Sequence, residues 1–174
     1  INREVDVLRS VKQLRLLPGT AEAICALNRL GYLTIIVTNQ PVIARGWLTE
    51  KQVKSIHNVL RTRLARRGAR IDAIFYCPHH PNANLKKYRK ICRCRKPKPG
   101  MFLDAAKEFS IDLKKSFMVG DHAWDIAGGK AAGVKTIKVM TSTRSNDPAY
   151  AHIKADFVAK NLGGAVQLIK RYGK

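Results

Sequence analysis

Apolar positions along the chain recur with two periods, and the periods alternate. Ala23, Ile24, Leu27 and Leu30 form a 3.6-residue stripe, which predicts a helix over residues 19–31 with Gly31 as its C-terminal stop. Leu33–Thr38 is a continuous apolar run of strand length, the pattern of a strand covered on both faces. Thr49-Glu50-Lys51-Gln52 places a hydroxyl at an N-cap and an amide three residues on, a capping box. It opens a helix whose buried stripe is Val53, Ile56, Leu60 and Leu64 and which closes near Gly68. Ile71–Tyr76 reads as a second strand. Residues 77–99 contain Pro78, Pro81, Pro97 and Pro99 among polar side chains and read as an irregular loop. Beyond it, Gly100–Phe109 is helical and Ser116–Val119 is a third strand ending at Gly120-Asp121. Ala123–Ala132 is a helix stopped by Gly133, and Val134–Val139 is a fourth strand. Thr141–Ala149 reads as a polar, mobile loop, Asp156–Val158 as a short fifth strand, and Asn161 as the cap of a last helix through about Arg171.

Strands that alternate with helices are joined by right-handed crossovers into a parallel sheet. The expected fold is therefore α/β, a three-layer αβα sandwich formed by residues 1–174 as one domain. Ligands bind such sheets beyond the carboxyl ends of the strands. That rule singles out Thr38-Asn39-Gln40, the loop opened by Cys77, and Gly120-Asp121.

Composition changes this picture in two respects. The chain of 174 residues has no apolar run near the roughly 20 residues a membrane helix requires. With no basic stretch preceding an apolar one at its start, a cytoplasmic protein without a membrane partner is the expectation. The net charge is +21, from 33 Lys and Arg against 12 Asp and Glu, and such a field draws phosphate esters and other polyanions. The basic residues are densest at Arg61–Arg70 and Lys86–Lys98, without the aromatic interleaving of a nucleic-acid module, so nucleic acid is not the expected partner.

The four cysteines are not arranged as two disulfides. Cys25 lies on an apolar helical face, whereas Cys77, Cys92 and Cys94 fall within 18 residues of one another beside His79. Cys77-x-His79, twelve intervening residues and Cys92-x-Cys94 supply three thiolates and one imidazole, a donor set suited to tetrahedral zinc. His80 could compete with His79, which is the favoured ligand. Four protein ligands leave no position for water, so the ion is expected to be structural and to order a loop with little apolar content of its own.

At the strand ends, the Thr38 hydroxyl and Asn39 amide can hydrogen-bond a phosphate oxygen. Arg95 and Lys96 follow Cys94 directly, so a metal that fixes the loop would also aim them. Asp125 lies four residues after Asp121, which puts both carboxylates on one face of a helix start and makes them a candidate Mg²⁺ site. Each feature alone has an ordinary reading: a strand-end cap, a solvated lysine, an N-cap. Their order on successive parallel strands favours the phosphate reading.

Together these residues resemble the haloacid-dehalogenase-like (HAD-like) phosphatases, and within them the heptose 1,7-bisphosphate and histidinol-phosphate phosphatases. The matching segments are Val37-Thr38-Asn39-Gln40, Ile43-Ala44-Arg45-Gly46, Tyr76-Cys77-Pro78-His79-His80-Pro81, Cys92-Arg93-Cys94-Arg95-Lys96-Pro97 and Met118-Val119-Gly120-Asp121. The resemblance implies a Rossmann-like fold with a zinc loop at 77–99 in place of a large cap domain. It implies a monomeric, Mg²⁺-dependent phosphomonoesterase working through an aspartyl-phosphate, with a small phosphorylated sugar as substrate and a place in heptose supply for surface glycans. Thr38 would bind the transferring phosphoryl group and Lys96 would neutralise charge on the nucleophile and phosphate. Asn39, Arg45 and Arg95 would contact substrate, and Asp121 would ligate Mg²⁺ with Asp125 as support or second ligand.

The resemblance has departures. The family's Asp-x-Asp-Gly-Thr/Val motif belongs immediately before Ile1-Asn2, and Asp6 lies downstream of its position. The chain is therefore expected to be an N-terminally truncated form, inactive as it stands, with the core open where a first strand belongs. His122 stands where relatives often carry Lys, and Pro41-Val42 where some carry Ser-Gly. Histidinol phosphate is the alternative substrate. A non-catalytic, zinc-stabilised polyanion-binding module is the alternative of a different class.

Overall fold

The computed structural model describes Ile1 and residues 8–141, 148–150 and 152–173. Asp6 and most of the polar segment 141–149 thus lie outside the described residues. The chain divides into two compact units, Ile1–Arg95 and Lys96–Lys174.

The first unit begins with a 3-10 turn at Val11–Gln13 and contains helices α1 (Thr20–Arg29), α2 (Pro41–Ala44) and α3 (Glu50–Ala65) and strands β1 (Ile35–Asn39) and β2 (Ala73–Cys77). α1 buries Ala21, Ala23, Ile24 and Leu27, as the stripe predicts. Leu30 falls on the C-cap and is 45% exposed, because the chain leaves the helix there. The expected capping box of α3 is present: Thr49 Oγ1 accepts from the Gln52 amide at 3.2 Å, and the Gln52 side chain accepts from the Thr49 amide at 2.8 Å. β1 and β2 pair in parallel from Ile35↔Ala73 to Asn39↔Cys77. The amide of Thr34 donates to Asp72 Oδ2 at 2.7 Å, which fixes the start of the pairing.

A strand covered on both faces was expected at residues 33–38. Instead β1 starts at Ile35, Leu33 is 45% exposed, and all five β1 residues are half-buried. The physical reason is the sheet itself: among the described residues β1 and β2 form a two-stranded sheet, so each has one paired edge. One apolar cluster of this unit gathers around α2 and the start of α3, where Val42, Ile43, Ala44, Leu48, Val53 and Ile56 pack with Ala83 and Tyr88 from the loop after β2.

The second unit contains helices α4 (Gly100–Phe109), α5 (Ala123–Ala132) and α6 (Leu162–Tyr172) and strands β3 (Phe117–Gly120), β4 (Lys135–Val139) and β5 (Phe157–Ala159). The strands form a parallel sheet in the order β3-β4-β5. Central β4 is the best covered, with Thr136 and Ile137 fully buried. Gly129 lets α5 close on the sheet, since a Cβ there would come within 2.9 Å of both Met118 and Thr136 side-chain atoms. Asp156 ties β4 to the lead-in of β5, accepting from the Thr136 amide at 2.8 Å and from Lys130 Nζ at 2.7 Å. Asn161 caps α6 by accepting from the Gly164 amide at 3.0 Å. The whole is parallel α/β, as the alternating periods require, and no described helix is long and apolar enough to cross a membrane.

Candidate metal centre and active site

Cys77 ends β2, so the strand itself places the first thiol of the cluster. The Sγ atoms of Cys94 lie 3.2 Å from those of Cys77 and Cys92, and Cys77 and Cys92 are 3.5 Å apart. His79 turns Nδ1 toward them, 3.5 Å from Cys94 and 3.8 Å from Cys77. All four donor atoms fall within 4.8 Å of one another. A disulfide requires sulfurs about 2.05 Å apart, so no pair here is bonded. Zinc bonds of about 2.0–2.3 Å directed to the corners of a tetrahedron put donors about 3.5–3.8 Å apart, and the four atoms outline such a polyhedron. His80 is not part of it: its Nδ1 accepts from the Asn82 amide at 3.1 Å. Burial, and after it the Lys90 charge, holds the His79 imidazole below its ordinary pKa and so in the neutral form that ligates metal. Burial pushes the Cys77 thiol up, which disfavours a bare thiolate there and favours one bound to a cation.

The loop around the cluster is anchored at points that the sequence does not advertise. Glu50, the first residue of α3, accepts from Tyr88 at 2.7 Å and from Tyr76 at 3.1 Å. One carboxylate thus joins α3 to the strand before Cys77 and to the middle of the metal loop. The Tyr88 hydrogen bond is the main cause that pulls the Glu50 pKa down, and burial followed by the Glu50 contact raises that of Tyr76 to about 12. The Leu85 amide donates to Ala44 and the Asn84 side chain to Arg45, which fastens the loop to α2. Glu50 reads in the sequence as a first-turn helix residue, and its second role depends on two tyrosines 26 and 38 residues away.

Of the residues expected to handle phosphate, those of the first unit gather at the carboxyl ends of β1 and β2. Asn39 pairs in register with Cys77, and the Gln40 amide donates to the Cys77 carbonyl at 2.8 Å. Thr38 precedes them, with its hydroxyl 3.5 Å from Gln40 Nε2, which in turn lies 3.4 Å from His57 Nε2. Arg95 is half-buried and donates from Nη1 to the His79 carbonyl at 3.1 Å, so a member of the candidate metal cluster orients it. Arg45 caps α2 with its guanidinium 4.8 Å from the centre of the Trp47 ring. Burial first, and then the charges of Arg95 and Arg45, hold the His80 imidazole below its ordinary pKa. The Arg45 and Arg95 charges thus act together on a neutral His80 imidazole.

The expected residues of the second unit are arranged around one ion pair. Lys96 Nζ lies 2.6 Å from Asp125 Oδ1, with both side chains under a tenth exposed. Asp125 Oδ2 accepts from the His122 amide at 3.1 Å, closing the N-terminus of α5. Close approach is needed on both sides of the pair. A Cβ on Gly120 would stand 2.4 Å from that of Asp125, and one on Gly128 would stand 3.4 Å from the Lys96 stem. Both Asp125 oxygens are therefore engaged by the protein. Asp121, half-buried just after β3, is the carboxylate left to offer to Mg²⁺, an ion commonly held by one or two carboxylates with substrate phosphate. His122 stacks on Trp124 with ring centres 4.3 Å apart, a platform beside Asp121 that the sequence does not reveal.

Comparison with known proteins places this chemistry. A family model described as HAD-hydrolase-like matches residues 93–165. The D-glycero-beta-D-manno-heptose-1,7-bisphosphate 7-phosphatase of Photorhabdus laumondii is 38% identical over 170 residues, covering 98% of this chain and 90% of that protein. The chain belongs to the heptose-bisphosphate phosphatase family of HAD-like hydrolases. The family enzyme of Rhodopseudomonas palustris is 46% identical over 134 residues, 77% of this chain and 74% of the relative. The crystal structure of D,D-heptose 1,7-bisphosphate phosphatase from B. bronchiseptica, complexed with magnesium and phosphate, superposes with a TM-score of 0.85 at 30% identity. It covers 98% of this chain and 92% of that one. HAD membership makes the protein a hydrolase of the phosphatase type, and Mg²⁺ dependence is typical of that class.

Proposed function

We propose that this chain forms the phosphate-handling site of a cytoplasmic, monomeric phosphatase that removes the 7-phosphate of D-glycero-D-manno-heptose 1,7-bisphosphate. The observation that carries the reading is the Cys77-His79-Cys92-Cys94 cluster with Arg95 bonded to the His79 carbonyl, in a chain 38% identical to an enzyme named for that reaction. A bisphosphate needs two anion sites. Arg45, His80 and Arg95 supply one, on a loop whose shape the metal sets. Thr38 and Asn39, at the end of β1, supply donors to the other.

Phosphoryl transfer asks the protein for positioning and for countercharge. The Thr38 hydroxyl donates to an equatorial phosphoryl oxygen. Lys96 supplies a fixed cation whose position Asp125 sets from beneath, which gives Asp125 a supporting role. Asp121 would hold Mg²⁺, which when bound draws charge from the phosphoryl oxygens. Zinc, with four protein donors, has no position for substrate and acts by ordering the loop.

The test is phosphate release followed by ³¹P NMR with the whole gene product and Mg²⁺. Loss of the C7 phosphate signal from heptose 1,7-bisphosphate, with the C1 phosphate retained, is the expected result. Faster turnover of histidinol phosphate would transfer the assignment to that substrate. Turnover of neither would overturn the phosphatase reading.

A further inference from the structure

Trp47 has no part in the phosphatase reading, yet the local fold sets its ring beside Arg45. Arg45 is the C-cap of α2, and Gly46 follows in the left-handed region with a φ of 75°. The Gly46 amide donates to the Ile43 carbonyl and the Trp47 amide to the Val42 carbonyl, both at 3.0 Å, the paired bonds of a Schellman motif. A side chain at Gly46 would strain that turn. The turn reverses the chain, and the Arg45 Cζ comes to lie 4.8 Å from the centre of the Trp47 ring.

A second guanidinium reaches the same ring. The Arg9 Cζ is 4.0 Å from its centre. Arg9 belongs to another part of the chain, the lead-in to the 3-10 turn, where its amide donates to Gln13 Oε1 at 2.7 Å. Both distances fall within the ~6 Å over which an aromatic face attracts a cation. The ordinary role of a large apolar side chain, filling a core, does not account for Trp47. It is 39% exposed, and its neighbour Leu48, 8% exposed, is the one that enters the apolar cluster.

Arginine has a long stem, and a loose one must give up rotamer freedom when it meets a ligand. Stacking on an aromatic face restricts the guanidinium plane beforehand. Arg95 is held by the His79 carbonyl, and Arg45 is held by the indole. We propose that Trp47 is a positioning residue, whose ring holds the Arg45 guanidinium ready for the phosphate that is not transferred. The inference rests on the reading of Arg45, His80 and Arg95 as the site of that phosphate.

Steady-state kinetics of the whole gene product with Mg²⁺ test it, on heptose 1,7-bisphosphate and on p-nitrophenyl phosphate, which has no second phosphate. Trp47→Leu keeps an apolar side chain and removes the aromatic face. It is expected to raise KM for the bisphosphate about three- to fivefold, the scale of a partly exposed cation–π contact, with kcat unaltered. KM for p-nitrophenyl phosphate should not change. Trp47→Phe, which restores a ring, should return the bisphosphate KM close to wild type. In an Arg45→Ala background Trp47→Leu should add nothing, because it acts through that guanidinium. An unchanged bisphosphate KM in Trp47→Leu would overturn the inference, as would a rise that Trp47→Phe shares or that persists without Arg45. An equal rise for both substrates would also overturn it, since a general loss of structure acts on both. Those results leave turnover of the bisphosphate in place and so leave the phosphatase reading standing. Turnover of p-nitrophenyl phosphate alone, or of neither substrate, would overturn the reading of the site, and the role of Trp47 with it.

Discussion

The carboxyl ends of β2 and β3 are both occupied by residues expected to handle phosphate, but the two ends are ordered by different means. After β2 the chain runs through a polar loop with few buried side chains, and order comes from outside: a metal-ligand set and the Glu50 carboxylate between two tyrosine hydroxyls. After β3 the chain turns at once into α5, and order comes from within, through a buried ion pair and glycines that permit close packing. A loop held by a metal can be released by removing the metal while its strands stay paired. A site held by a buried pair cannot be loosened without destabilising its surroundings.

The comparison is broken most severely at Asp125. Asp125→Ala removes the buried counter-charge 2.6 Å from Lys96 Nζ, and breaking a buried pair costs about 3–5 kcal/mol. A fall in the urea midpoint together with loss of phosphatase activity is expected, and an unchanged midpoint would show that the pair is not buried in solution. Cys92→Ala should act differently. It breaks the candidate zinc site and should raise KM for the bisphosphate, while the circular dichroism of the α/β core persists. Unaltered kinetics in a zinc-free protein would make the ion a staple with no part in substrate binding. Glu50→Gln keeps the shape of the anchor but removes its charge, so a smaller effect, about 1–2 kcal/mol, is expected. Its specific mark is faster zinc loss to a chelator, which a general loss of helix stability would not produce.

The smallest effect concerns acid. Burial alone would raise the Asp156 pKa, but the Lys130 and Thr136 hydrogen bonds outweigh it and bring it to about 2. Its folded pKa is therefore below the unfolded value of about 4, so the stability it contributes is present above pH 4 and is lost as pH falls from about 4 to 2. Asp156→Asn should flatten the acid-unfolding curve of the second unit in that window, and an unchanged curve would remove Asp156 from the account.

The local signals in the sequence were strong where one element decides the structure. The Thr49 capping box, the Gly133 stop and the Asn161 cap are set by neighbouring residues, and α4 and α5 span Gly100–Phe109 and Ala123–Ala132 as expected. The gathering of Cys77, His79, Cys92 and Cys94 was legible because three thiols and an imidazole in one short loop can converge without help from distant elements. What was hidden depends on pairing at a distance. The half-burial of β1 follows from how many strands flank it, which no apolar run encodes. The Glu50–Tyr76–Tyr88 anchor joins three elements, and the approach of Arg9 to the Trp47 ring is visible only after the chain has folded. Asp125 was read by spacing as a partner of Asp121, whereas its carboxylate is taken by Lys96, 29 positions earlier, and by the His122 amide.

The central claim is that Cys77, His79, Cys92 and Cys94 hold one zinc ion and that this ion orders the loop that carries Arg95. Zinc K-edge absorption on the purified protein tests it most directly. The account predicts one zinc per chain with three sulfurs at about 2.3 Å and one nitrogen at about 2.0 Å. A protein that binds no zinc, or a zinc shell with fewer than three sulfurs, would contradict it.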